Sequence, residues 1–165
     1  MNVQKAIELA LAKVHKDHAN VPDTVMLRCW QTVDNDPKWE PTVDRYFPMV
    51  EFRAQPGVMD STGRGIMSMC GIMSATKAVD DPSHATVSLL FEKSLAVIYR
   101  LYGQDVNKQP GAELNTFLAV MTEHVPAIEF VFGGFTITEN IAPFEEEGVN
   151  AIGITLTTHY TRKDI

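Results

Sequence analysis

The sequence predicts an α+β fold: a mixed, mainly antiparallel sheet of about five strands with about three helices packed on one face. Three segments carry apolar residues at helical spacing, and several others are rich in β-branched and aromatic residues with strand-like alternation. The length of 165 residues fits a single domain, residues 1–165, that can bury a real core.

The composition is that of a globular protein, with 45% hydrophobic and 21% charged residues. The net charge of −7 argues against sequence-specific binding of nucleic acid, because phosphate backbones attract clustered basic surfaces. No stretch approaches the ~20 apolar residues of a membrane span, and the N-terminus lacks a signal-peptide pattern. We therefore expect synthesis in the cytoplasm and no membrane partner.

The first predicted helix begins after Asn2, a good N-cap, and carries an apolar stripe at Ile7, Ala10, Leu11 and Val14. A strand is predicted next over Thr24–Val33, because that run is rich in β-branched and large apolar residues. A loop with two prolines follows, and a second strand starts near Pro48, a residue that favours an early or edge position.

A loop is predicted between the second and third strands, over Ala54–Gly65, since this segment contains three glycines and a proline. This segment is either a functional loop or a flexible surface loop without a function. The strand after it has apolar residues on both faces. One face carries Ile66, Cys70 and Ile72, and the other carries Met67, Met69 and Met73.

The second helix is predicted over about Pro82–Tyr102, with Asp81 as N-cap, Pro82 in the first position and Gly103 at the C-terminal end. Its predicted buried stripe consists of Val87, Leu90, Phe91, Leu95, Ile98 and Leu101 or Tyr102, whereas Glu92, Lys93 and Arg100 lie away from it. A shorter third helix carries Leu114, Phe117, Leu118 and Met121 and cannot continue past Pro126.

Two strands joined by the segment "IAPFEEEG" are predicted to end the chain as a hairpin. Gly133 and Gly134 indicate a bulge or a close backbone approach in the first strand. The last strand has a core face and a Thr-rich face. The core face carries Ile152, Ile154 and Leu156, and the other face carries Gly153, Thr155, Thr157 and His159.

Three helices could cover one face of such a sheet, which would leave apolar positions on the second face that a monomer cannot easily hide. A homo-oligomer would hide them. Tight curling of the sheet or a covering loop would also hide them, and the sequence does not separate these alternatives.

No residue pattern indicates catalysis. His15 and His18 have a spacing that suits a metal, but no third ligand is identifiable; His84 fits a surface position, and His124 and His159 accompany no recognisable nucleophile. Cys29 and Cys70 lie in apolar runs without metal or redox spacing, so we expect reduced, buried thiols.

Two further motifs resemble ligand-binding sites only superficially. The stretch "STGRG" lacks the spacing of a phosphate loop and leads into a strand, so no nucleotide is expected. The acidic stretch "FEEEG" could offer carboxylates to a divalent cation, but fits a solvated hairpin tip or an acidic contact for a basic partner better. We expect no cofactor, no metal and no enzyme activity.

The order of elements resembles the tail terminator or tail-completion proteins of tailed bacteriophages. The segments that carry the resemblance are the N-terminal amphipathic helix, "YFPMVEFRAQPG", the long loop, "GRGIMSMCGIMSATKAVDDPSHATVSLLFEKSLAVIYRLYG" and the final hairpin "FVFGGFTITEN…VNAIGITLTTHYTR". The resemblance is one of pattern over nearly the whole chain, and it implies a structural protein.

That resemblance implies a ring, commonly a hexamer, that caps the tail tube, stops its polymerisation and joins the tail to the head. The implied partners are further copies of the chain, the tail tube protein and a head-tail connector or neck protein. The implied location is the virion, after assembly in the host cytoplasm, and DNA would pass through an acidic ring without sticking. The candidate subunit or tube contacts are Met59, Arg64, Met67, Met69, Met73, Phe144, Glu145, Glu146, Thr155 and Thr157.

The loop 54–65 and the hairpin tip Asn140–Gly148 are further candidates for docking on the tube or neck. The alternative function is a small cytoplasmic enzyme or ligand-binding domain with its site beside His84 or His159. A deep pocket flanked by those histidines would favour it, whereas an apolar second sheet face would favour the ring.

Overall fold

The structure is a computed structural model that describes residues 2–33, 46–59, 61, 65–101, 111–146 and 148–163. The helices are α1 (Val3–His18), α2 (Trp30–Val33), α3 (Ala85–Arg100) and α4 (Ala112–His124). The strands are β1 (Met26–Cys29), β2 (Met49–Ala54), β3 (Val58–Met59), β4 (Ile66–Lys77), β5 (Ile128–Glu146) and β6 (Val149–Arg162).

The strands form one sheet in the order β1-β2-β4-β6-β5, and the short β3 also pairs with β4. β1 and β2 are parallel, while the other pairs are antiparallel. This arrangement confirms the α+β class and the mixed, mainly antiparallel sheet. The described residues contain six strands rather than about five, because β3 lies inside the segment that was predicted to be only a loop.

Three helices cover one face of the sheet, called here the inner face. The inner-face side chains of the central strands, including Phe52, Ile72 and Leu156, belong to one buried core with the apolar stripes of α1, α3 and α4. The predicted stripe of α1 is confirmed, and Asn2 caps that helix by accepting a hydrogen bond from the Lys5 N–H at 2.7 Å. The predicted α4 stripe is also confirmed at Leu114, Phe117 and Met121.

The segment predicted as one long strand over Thr24–Val33 is a four-residue strand followed by the short helix α2, so that prediction was wrong. The reason lies in a buried carboxylate. Glu8 Oε1 accepts a hydrogen bond from the Gln31 N–H at 2.7 Å, and its Oε2 accepts one from the Ala54 N–H at 2.8 Å. The first of these satisfies a helix N-terminal donor, which favours the helical turn.

A second buried polar group joins α1 to α3. His15 Nδ1 lies 2.8 Å from the Leu11 carbonyl oxygen, and its Nε2 lies 2.7 Å from Ser94 Oγ. The imidazole also contacts Phe52, with ring centroids 4.7 Å apart. Burial lowers the pKa of His15 to about 4, outweighing the hydrogen bond to Leu11, so the ring is neutral at pH 7.

The helix α3 begins at Ala85 rather than at the predicted Pro82, because His84 adopts a left-handed backbone with φ of 63° immediately before it. Asp81 still caps the start of α3, although it lies four residues before Ala85. Its carboxylate accepts hydrogen bonds from the Thr86 and Val87 N–H groups and from the Thr76 hydroxyl. Desolvation opposes ionisation of Asp81, but these hydrogen bonds hold its pKa below the usual value.

The predicted C-terminal end of this helix, at Tyr102 and Gly103, lies outside the described residues. Leu101 is the last described residue there, and it is buried.

The final hairpin is confirmed, but its predicted joining segment is largely strand. Phe144 pairs with Ala151 and Glu146 pairs with Val149, so β5 continues almost to the turn at Gly148, where φ is +79°. β5 is longer than β6, and register shifts between the two strands accommodate the additional residues of β5. One shift lies between Phe130 and Phe135, which confirms the irregularity predicted at the paired glycines, and another lies between Asn140 and Phe144.

Cys29 and Cys70 are both free and buried, as predicted. Burial, with the nearby Glu8 carboxylate, raises the pKa of Cys29 to about 12, so its thiol stays protonated. Among the described residues no helix is long and apolar enough to cross a membrane.

Candidate interaction surface

The face of the sheet opposite the helices is called here the outer face. Strand register places the three methionines predicted to share one face of β4 on it: Met67 lies opposite His159, Met69 opposite Thr157, and Met73 opposite Gly153. The outer-face positions of the central and flanking strands include Met49, Glu51, Arg53, Val58, Met67, Met69, Gly71, Met73, Ala75, Thr136, Thr138, Val149, Ala151, Gly153, Thr155, Thr157 and His159.

The middle of the outer face is open to solvent. Met69 is 46% exposed and Met67 is 36% exposed, and Val58, opposite Met67, is 61% exposed. Thr155 and Thr157 lie beside them, half-buried. We call these five residues the methionine patch. Adjacent apolar side chains exposed on a sheet face are typical of an interaction surface.

One end of the outer face is instead covered by the chain itself. Tyr46 is buried there, and Phe47 and Met73 pack against the same small cluster. Its buried members are Tyr46, Met49, Ala75, Val149 and Ala151. A segment next to β2 therefore covers this end of the outer face and Met73, as one of the alternatives raised by the sequence proposed. It does not cover the methionine patch.

Two arginines lie on or beside the outer face in different environments. Arg28 is buried, with Nε 4.0 Å from Glu51 Oε2 and its guanidinium 4.4 Å from the Tyr46 ring centroid. Burial raises the pKa of Glu51, although Arg28 and Arg53 act in the opposite direction. Arg53 is exposed, and its guanidinium lies 4.1 Å over the Trp30 ring. Arg53 therefore brings positive charge to the open part of this face.

The remaining predicted contact residues are distributed differently. Met59 is 64% exposed on β3, where it lies opposite Ile66 rather than on the outer face. Arg64 lies outside the described residues. Phe144, Glu145 and Glu146 lie on β5 next to the hairpin turn, at the opposite end of the sheet from the methionine patch.

A second exposed surface lies on α3 and was missed by the sequence analysis. Leu89 is 53% exposed and Tyr99 is 49% exposed, and Glu92 and Ala96 lie between them, also exposed. These four residues, called here the α3 stripe, follow helical spacing along one side of the helix. The signal was present, because Leu89 and Tyr99 fall on the same side as Glu92, which was correctly placed away from the core.

The histidines do not form a common site. His15 is buried against Ser94, whereas His18 Nε2 lies 2.8 Å from Thr116 Oγ1, so the two imidazoles have different partners. His84 precedes α3 beyond the Lys77 end of β4, and His159 lies opposite Met67 near the other end. At about 3.3 Å per residue, the strand between those ends is roughly 33 Å long, so His84 and His159 cannot act together.

The described residues contain no group of three or more His, Cys, Asp or Glu side chains that could hold a metal ion. A small pocket near His84 is lined by residues that include Phe47, Thr76 and Asp81. The Asp81 carboxylate already accepts hydrogen bonds from Thr76 and from the start of α3, so its oxygens serve the fold.

Comparison with known proteins finds no family model that matches the chain and no curated protein that matches it significantly. The geometry of the two exposed surfaces therefore carries the functional argument.

Proposed function

We propose that this chain is a structural, self-assembling subunit of a ring that resembles the tail terminators of tailed bacteriophages. The observation that carries the proposal is the open methionine patch, on a sheet whose inner face is sealed by three helices. Methionine side chains are flexible and polarisable, which suits them to contacts between subunits.

In this proposal the ring, most simply a hexamer, caps the tail tube, stops its polymerisation and joins the tail to the head through a connector or neck protein. The chain works in the virion after assembly in the host cytoplasm. Its net charge of −7 supports the passage of DNA through the ring, since like charges disfavour binding. Neither catalysis nor a cofactor has a part in this function.

Light scattering of the purified chain over a wide concentration range tests the ring. We expect a stable mass near six times the 18.4 kDa of one chain, and closed rings in electron micrographs. A chain that remains monomeric at every concentration would contradict the proposal.

The tail-specific part of the proposal needs a second experiment. Rings added to a polymerising tube protein from the same genome should bind tube ends and stop further growth. Tubes that grow to the same length distribution with and without the chain would contradict the capping function while leaving the ring intact.

A further inference from the structure

We propose that the subunits join head to tail, with the α3 stripe of one copy packed on the methionine patch of the next. This inference rests on the proposed ring and deepens it by naming the two surfaces that meet. The occupant of each surface is a second copy of this same chain.

The two surfaces lie on opposite sides of the molecule. The buried side of α3 packs on the inner face through Val87, Leu90 and Ile98, so the stripe points away from the sheet. The methionine patch lies on the outer face. A contact between different surfaces is heterologous, and a repeated heterologous contact leaves no free surface only if it closes into a ring.

The apolar side chains of the two surfaces can pack against each other. The stripe offers two large side chains, Leu89 and Tyr99, with the small Ala96 between them to allow a close approach. The patch offers Met67 and Met69, which can adapt their shape to a neighbouring helix. The contact would place a helix layer on the outer face, as the inner face already has, and would bury apolar area on both copies.

The charges of the two surfaces are complementary. The stripe carries the exposed carboxylate of Glu92, and the open part of the outer face carries the exposed guanidinium of Arg53, one strand away from Met69. A head-to-tail contact can place Arg53 of one copy beside Glu92 of the next, which pairs unlike charges, whereas two outer faces packed together would bring two copies of Arg53 into one interface.

The test uses two variants that each damage one surface, Leu89→Asp and Met69→Asp, because a buried unpaired carboxylate is costly in an interface. We expect each variant alone to fall from about six subunits to one in light scattering. Val79→Asp, which alters an exposed apolar residue outside both surfaces, is the matched control and should assemble as the wild type does.

Mixing the two variants gives the decisive measurement. Met69→Asp keeps an intact stripe and Leu89→Asp keeps an intact patch, so the mixture can form one intact contact and should yield a 1:1 dimer. A mixture that remains monomeric at high concentration would overturn the head-to-tail contact.

The outcomes separate this inference from the proposed ring. If the wild type forms rings and Leu89→Asp forms them equally well, the stripe has no part and this inference fails, while the ring stands. If the wild type remains monomeric throughout, both fail.

A charge exchange provides an independent check that disturbs packing less. Glu92→Arg should weaken assembly at least tenfold, and combining it with Arg53→Glu should restore most of the loss. Circular dichroism of each variant verifies folding, since Arg53 also stacks on Trp30. A double variant no better than Glu92→Arg alone would overturn the pairing of these two charges.

Discussion

The inner and outer faces of the sheet are built from the same strands but have opposite environments. Phe52 and Leu156 on the inner face are 0% exposed, whereas Met69, one residue along the chain from buried Cys70, is 46% exposed. Apolar residues occupy both faces of β4, so composition does not explain the difference. The cause is that α1, α3 and α4 all pack on the same side.

The same comparison applies to charged groups. On the inner side, the Glu8 carboxylate is fully buried and accepts two backbone hydrogen bonds. On the outer face, Arg53 remains exposed and stacks on an aromatic ring. The Glu8 carboxylate therefore organises the fold on the helix side, whereas the exposed guanidinium of Arg53 is available to a partner.

The largest expected effect is the loss of stability when a cavity is created under the inner face, compared with a truncation on the outer face. Phe52→Ala should lower the free energy of unfolding by about 3–5 kcal/mol, because a large buried side chain leaves a cavity behind. Met69→Ala should change the free energy of unfolding of the monomer by less than about 1 kcal/mol, because Met69 is exposed and its truncation leaves no buried cavity. Urea unfolding at low protein concentration measures both, and equal losses would contradict the assignment of the faces.

The next effect concerns pH. An unfolded histidine gains its proton near pH 6.5, but His15 in the folded state resists it until about pH 4, so stability should fall as the pH falls through this window. This difference in pKa between the unfolded and folded states corresponds to a loss of roughly 3 kcal/mol in the free energy of unfolding. Above pH 7 the free energy of unfolding should change little from this cause.

His15→Gln is the variant that isolates this contribution, because burial also raises the pKa of the Glu8 and Glu51 carboxyls and so adds a separate pH dependence. Its unfolding free energy should depend less on pH between 7 and 4.5 than that of the wild type. Circular dichroism at pH 7 verifies that His15→Gln is folded, and a variant that keeps the wild-type slope would contradict this role of His15.

A somewhat smaller effect is expected at Glu8. Glu8→Ala should cost about 2–3 kcal/mol, because the buried N–H groups of Gln31 and Ala54 lose their acceptor. Glu123→Ala changes an exposed helical carboxylate and should be nearly neutral. Thermal unfolding curves that shift equally for both would show that Glu8 does not organise this region.

The smallest effect is expected at the start of α3. Asp81→Ala should cost about 1 kcal/mol, since the Thr86 and Val87 N–H groups lose their capping acceptor. Asp80→Ala, at the exposed neighbour, should leave stability unchanged in denaturant unfolding. The lowered pKa of Asp81 implies that its stabilisation is present near neutral pH and is lost as the pH falls through that lowered value.

Local patterns predicted the parts of this protein that depend on neighbouring residues. Helical spacing was enough for α1 and α4, and alternation was enough to place Met67 and Met69 on the opposite face from Cys70. Part of the candidate surface was therefore predictable. The α3 stripe was missed because the buried stripe dominates the helical pattern, and single apolar residues such as Leu89 and Tyr99 are common on protein surfaces.

Contacts between distant segments decided the remainder. Glu8 lies 23 residues before Gln31, yet its carboxylate accepts the backbone hydrogen bond that favours α2 over a longer β1. Pairing with β6 extends β5 to Glu146. The cluster around Tyr46 covers one end of the outer face but leaves the methionine patch exposed. The sequence by itself determined which residues share a face; only the tertiary structure decided which face is covered, because covering depends on where the helices pack.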